Sequence, residues 1–315
     1  MIYILGLFFV LSIIFIIRNR QKSASVFLLI MLLSLIAVSA SFTIYMAKDN
    51  SYYYLIHNYF NIGTNAWAEL MFFPIDKDTI IRFLNISSLL FVYSSLCFPI
   101  AFTSLIDPPL QKKLMWTLAV IPFLQIILFD PGVQVALYYK VYPDYISAAA
   151  FKAVQRGIFI TTKVINGIYL LGGVTVFVLT YIKSSHIRLI RSHTLLILVS
   201  HFFLVGYYGI VLWWAPSYLI TISKIASYKA YLSMPLYRTA GLYQIFPYFA
   251  LVVLGLIAFI LYEHSLMQKK MQSKKLEISR NIDAANVTSS VFCHYMKNEL
   301  RAMMAQIELK EHEPG

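Results

Sequence analysis

His294 and Asn298 lie one helical turn apart in a charged segment of a chain that is otherwise mostly apolar. Free imidazole titrates at about pH 6.5, so histidines in the cytoplasm are mostly neutral. A neutral ring nitrogen is a good nucleophile towards a phosphoryl group such as the γ-phosphate of ATP. A second set of reactive groups falls inside apolar runs: Lys163 with Asn166 one turn on, His201, and Arg82 with Asn85. Ionisable residues in hydrocarbon are costly and tend to be functional. Long side chains near an interface can instead snorkel to water, the expectation for Lys163 and Arg82. His201 reads as a buried hydrogen-bonding histidine or as a group that responds to pH or ligand.

The element that carries His294 is legible. Residues 264–313 contain neither Gly nor Pro, and charges alternate with apolar positions, which predicts one long helix. An apolar stripe falls at Ile278, Ile282, Ala285, Phe292, Met296, Leu300, Met303 and Ile307, in steps of three or four interrupted by Ser289. Such a stripe must be buried, most simply against its copy in a homodimeric coiled coil. With about 100° per residue, His294 falls roughly 155° from the centre of the stripe, and Asn298 falls on the same outward side. That geometry offers the imidazole to another protein.

The run His294-Tyr295-Met296-Lys297-Asn298-Glu299-Leu300 resembles the phospho-acceptor box of bacterial two-component sensor histidine kinases, with matches at the histidine, apolar, basic, Asn and Leu positions. The resemblance covers about residues 285–307. It implies that His294 accepts phosphate and that Asn298 orients the water that later removes phosphate from a cytoplasmic response regulator. Two positions depart from the pattern. Tyr295 stands where Glu or Asp often serves as a base, and Glu299 stands where Pro often kinks the helix, so the helix is expected to run on unbroken. The resemblance also implies ATP and Mg in an ATPase domain that the chain itself does not contain. The simplest expectation is a fragment of a longer kinase; the other is a receptor phosphorylated by a separate kinase.

The elements upstream must carry the input. The chain has 315 residues, 59% hydrophobic and 13% charged, with mean hydropathy +0.70. A soluble domain is nearer a quarter charged. The composition reads as a multi-pass membrane protein with seven spans at about 2–17, 25–47, 80–104, 114–129, 157–182, 193–214 and 241–262. The net charge of +12 fits basic residues kept at cytoplasmic helix ends and calls for no nucleic acid. Arg18, Arg20, Lys22, Lys112, Lys113, Lys183, Arg188, Arg191 and the lysines at 269–275 fall on one side. That side becomes cytoplasmic, with the N-terminus outside and the C-terminus inside a bacterial cell membrane. The fold class expected is an all-α seven-transmembrane bundle over 1–262, a helical linker over 263–284, and the start of a dimerisation and phospho-acceptor helix over 285–315. Two cysteines, Cys97 and Cys293, support neither a disulfide framework nor a structural zinc site.

The long connections opposite the basic side are rich in aromatic residues, including Trp67 and Trp213. They fit an aromatic belt at headgroup level, or an aromatic-walled pocket for an apolar or peptide signal. Trp67, Trp213, His201 and Lys163 are the candidates for sensing. A membrane receptor or scaffold without phosphotransfer, whose coiled-coil tail docks a partner, is the alternative. A transporter or channel is disfavoured, because neither paired intramembrane carboxylates nor two matching broken spans are visible.

Overall fold

In hydrocarbon every backbone N–H and C=O must be satisfied within its own element, which leaves helices as the economical answer for an apolar chain. The computed structural model describes residues 23–48, 63–103, 105–145, 147–183, 188–213, 215–216, 273 and 276–304. Among these residues there is no strand. The chain divides into two compact units, Met1–Ile260 and Leu261–Gly315.

Among the described residues of the first unit the helices are α1 (Ser23–Lys48), α2 (Thr64–Met71), α3 (Lys77–Phe102), α4 (Pro108–Leu128), α5 (Pro131–Tyr145), α6 (Ala148–Lys183) and α7 (Arg188–Tyr207). A π-helical turn, Tyr208–Leu212, continues α7. Local chemistry sets the starts. Asp76 caps α3, its carboxylate accepting from the Thr79 backbone N–H at 3.1 Å and from the Thr79 hydroxyl at 2.9 Å. Pro108 and Pro109 open α4, where a missing N–H costs nothing. Serines inside α3 return their hydroxyls to carbonyls a turn back, as Ser87 does to Phe83 and Ser94 to Leu90, so they add no unpaired donor to the interior.

Helix α3 is the centre of the unit, with α1, α4 and α6 packed around it. Its most apolar window is 78% buried, against 33% for α6, so α6 has a broad outward apolar face suited to lipid. Small residues bring α3 and α6 close. A Cβ on Gly173 would collide with the Ser95 carbonyl, and the Thr180 hydroxyl donates to that of Thr103 at 2.8 Å. These pairings run in the same direction along both helices, so α3 and α6 are parallel. Helix α4 is antiparallel to α3: the Tyr93 hydroxyl donates to the Met115 carbonyl and the Asn85 amide to the Phe129 carbonyl.

Among the described residues, three helical stretches are long and apolar enough to cross a membrane: Ser23–Tyr45, Lys77–Phe102 and Ala153–Lys183. A fourth appears if Pro108–Leu128 and Pro131–Leu137, bent by 64° at their junction, count as one. They coincide with the second to fifth expected spans. Within the sixth, the apolar helix Thr194–Ile210 is shorter. The first and seventh expected spans lie outside the described residues. The residues between the fourth and fifth expected spans, about 130–156, are largely helical. They form α5 followed by the first turns of α6, whose 36 residues would extend about 54 Å at 1.5 Å per residue. Asp130 makes the turn into α5, its carboxylate accepting from the N–H groups of Gly132 and Val133 at 2.8 and 3.2 Å.

In the second unit residues 276–304 form one helix, α8, that passes through Glu299 without interruption. Every described residue of it is exposed.

Candidate functional site

Of the four sensing candidates, the structure joins two. Lys163 projects from α6 towards the end of α7 and is only 9% exposed. Its ammonium donates to the carbonyls of Trp213, Ala215 and Pro216 at 2.6, 2.9 and 3.2 Å. It also lies 5.8 Å from the centre of the Trp213 ring and 5.1 Å from that of Phe159. The Trp213 ring is seated over Gly167, one turn beyond Lys163. An ammonium has three N–H donors and no acceptor, so the three carbonyls match it in number. Trp213 is the C-cap residue of the helical turn Tyr208–Leu212, so one of the three carbonyls lies at a helix end, where dipoles favour a cation. Lys163 therefore spends its donors on backbone carbonyls at and just beyond the end of this helix, where snorkelling to water was the expectation.

Further polar groups join this centre. The Tyr208 hydroxyl donates to the Ala215 carbonyl at 3.1 Å and pairs with the Ser88 hydroxyl of α3, while its ring stacks on Phe91 with centroids 4.7 Å apart. Neither Tyr208 nor Ser88 was legible as a site residue, since both sit in apolar runs and meet only through the packing of α3 on α7. Asn166, one turn from Lys163, is 2% exposed, and its side-chain N–H₂ has no hydrogen-bond partner among the described residues.

His201 forms a separate place in the same unit. It is 1% exposed, and neither ring nitrogen has a hydrogen-bond partner among the described residues. The imidazole packs edge-on against Phe177, centroids 5.1 Å apart, and near Phe98 at 6.0 Å. It borders a cavity of about 20 Å³ lined by Leu28, Met31, Phe98, Ile197, Ser200 and Leu204, about the space of one water molecule. Trp67 is buried on α2, which packs against α1. Arg82 is ion-paired with Asp130 at 2.7 Å. Cys97 is buried and Cys293 exposed, both as free thiols. Among the described residues no group of three or more His, Cys, Asp or Glu could hold a metal ion.

On α8, His294 and Asn298 are both exposed on one continuous helix. The two positions at which the box departs from the kinase pattern are joined to each other: the Tyr295 hydroxyl donates to the Glu299 carboxylate at 3.2 Å. Tyr295 thus holds the acid one turn away. The apolar stripe is uncovered in the single chain, with Ile282, Phe292, Leu300 and Met303 all more than half exposed. No family model, no curated protein and no solved structure matches this chain.

Proposed function

We propose that the chain is the membrane sensor and phospho-acceptor part of a bacterial two-component sensor histidine kinase. In this reading seven spans hold the sensor in the cell membrane, with the N-terminus outside and the tail in the cytoplasm. Two copies of the tail bury their apolar stripes against each other. His294 takes the phosphoryl group, an N–P bond forming as the bond to ADP breaks, and passes it to a response regulator. Asn298 orients the water that hydrolyses the phosphorylated regulator and releases inorganic phosphate. The observation that carries the reading is His294 within its box, exposed on an unbroken helix whose apolar stripe lies on another face. The described part of α8 has no glycine and no metal-binding cluster with which to cradle a nucleotide. In this reading ATP and Mg belong to an ATPase domain, and no residue of α8 is assigned to them.

Signal binding at the sensor would alter the last span and reach His294 as a rotation or shift of the helix pair. The test supplies the full chain with a histidine-kinase ATPase domain and γ-labelled ATP. Acid-labile label on the wild type that is absent from His294→Gln is the expected outcome. Equal labelling of both proteins, or none of either, rejects phosphotransfer. Normal dimerisation and partner binding by His294→Gln in that case would favour the scaffold with a docking tail.

A further inference from the structure

We propose that the buried Lys163–Asn166 face binds the carboxylate of an amphiphile, whose apolar body lies against Trp213 and Phe159. The assignment rests on the sensor reading of this end of the bundle and names the chemistry of its ligand. Three observations carry it. Lys163 is buried and has its donors matched by backbone carbonyls, yet no carboxylate pairs with it among the described residues. A buried charge without a counter-charge is expensive, and dipoles compensate it only in part.

The second observation is Asn166. Its side-chain N–H₂ is unpaired at 2% exposure. The residue lies three positions after Lys163, on the same buried face of α6. A carboxylate has two oxygens, one for the ammonium and one for this amide. The bond to the Pro216 carbonyl, at 3.2 Å the longest of the three, is the one it would replace.

The third is the surrounding wall. Trp213 is 38% exposed, which leaves the aromatic side of the centre open to an incoming chain. Its ring and that of Phe159 flank the ammonium and offer apolar area to a hydrocarbon body. Charge selects the headgroup. One ammonium is neutralised by one carboxylate, whereas a phosphate dianion would leave a net negative charge in an apolar setting.

The test uses the full chain in nanodiscs of zwitterionic lipid. The probe is dodecanoate isotopically labelled at its carboxyl carbon, read by NMR, with dodecanol and dodecyl phosphate as competitors. Saturable binding that dodecanol does not displace is expected. Asn166→Leu should weaken it at least about tenfold and Lys163→Met still more, while Lys163→Arg should stay within about threefold of the wild type. Displacement by dodecanol as effective as by unlabelled dodecanoate overturns the proposal. So does dodecyl phosphate binding about tenfold more tightly, or unchanged affinity in Asn166→Leu with intact helicity. If Lys163→Met fails to fold, Asn166→Leu decides. Because the readout is binding alone, failure of phosphotransfer at His294 would leave it standing, and loss of binding would leave the His294 chemistry standing.

Discussion

Asp76 shows how much a single exposed residue can fix. Its hydrogen bond from the Thr79 hydroxyl, and next the one from the Thr79 backbone N–H, hold its carboxyl below the usual carboxylate range. A depressed carboxyl stabilises the fold above its unfolded-state pKa, and the contribution is lost as the pH falls through the folded-state value. Asp76→Ala should therefore speed amide exchange in the first turn of α3 at neutral pH. Acidifying the wild type below the folded-state pKa should lower protection in the same turn relative to the intrinsic exchange rate at that pH, and the variant should show no such pH step. Exchange unaltered by the substitution would show that the cap contributes nothing. The same scale governs the phospho-acceptor box, where Tyr295 and Glu299 form a local pair. Residue types alone marked those two positions as departures from the pattern; only the helical register showed that they meet.

At the scale of elements, close approach is the controlling feature. Gly173 on α6 abuts the Ser95 carbonyl of α3, and a Cβ there would also crowd His201. The Ser95 obstacle is backbone, so the helices themselves would have to part. Gly173→Ala should cost about 1–3 kcal/mol by overpacking. Gly157→Ala, on the same helix but in open space, should be neutral or gain roughly 0.5–1 kcal/mol from helix propensity. Thermal unfolding in one detergent compares them, and equal midpoints would reject the tight α3–α6 contact. For α8, Leu300→Asp places a charge in the apolar stripe. It should weaken self-association of the chain at least about tenfold, equivalent to about 1.4 kcal/mol. Sedimentation in detergent reads this, and an unchanged oligomeric state would remove the stripe from the dimer.

For the molecule as a whole, the two cysteines provide an internal test of orientation. Cys97 is buried in α3 and Cys293 is exposed on α8, beside His294. With the tail in the cytoplasm, a membrane-impermeant maleimide should label Cys293 in inverted vesicles and spare it in intact cells. Labelling in intact cells would reverse the proposed topology. This experiment settles the side of the His294 helix without depending on how many spans precede it.

The helical class, the apolar stretches at 25–47, 80–104, 114–129 and 157–182, and the unbroken run of α8 through Glu299 were legible in the sequence. They depend on composition and on periodicity along one strand of chain, and α8 contains neither Gly nor Pro to interrupt it. The fate of Lys163 was not legible, because its partners are backbone carbonyls at residues 213, 215 and 216, and every residue type has a carbonyl. Nor was the meeting of Ser88 with Tyr208, since it depends on how α3 and α7 lie across one another. His201 could be recognised as a polar group in an apolar run. That it ends among Phe98 and Phe177 with both nitrogens unpaired was decided by packing. Sequence periodicity determines which face of a helix must be buried; which neighbour buries it, and which polar groups are thereby brought together, is set by tertiary structure.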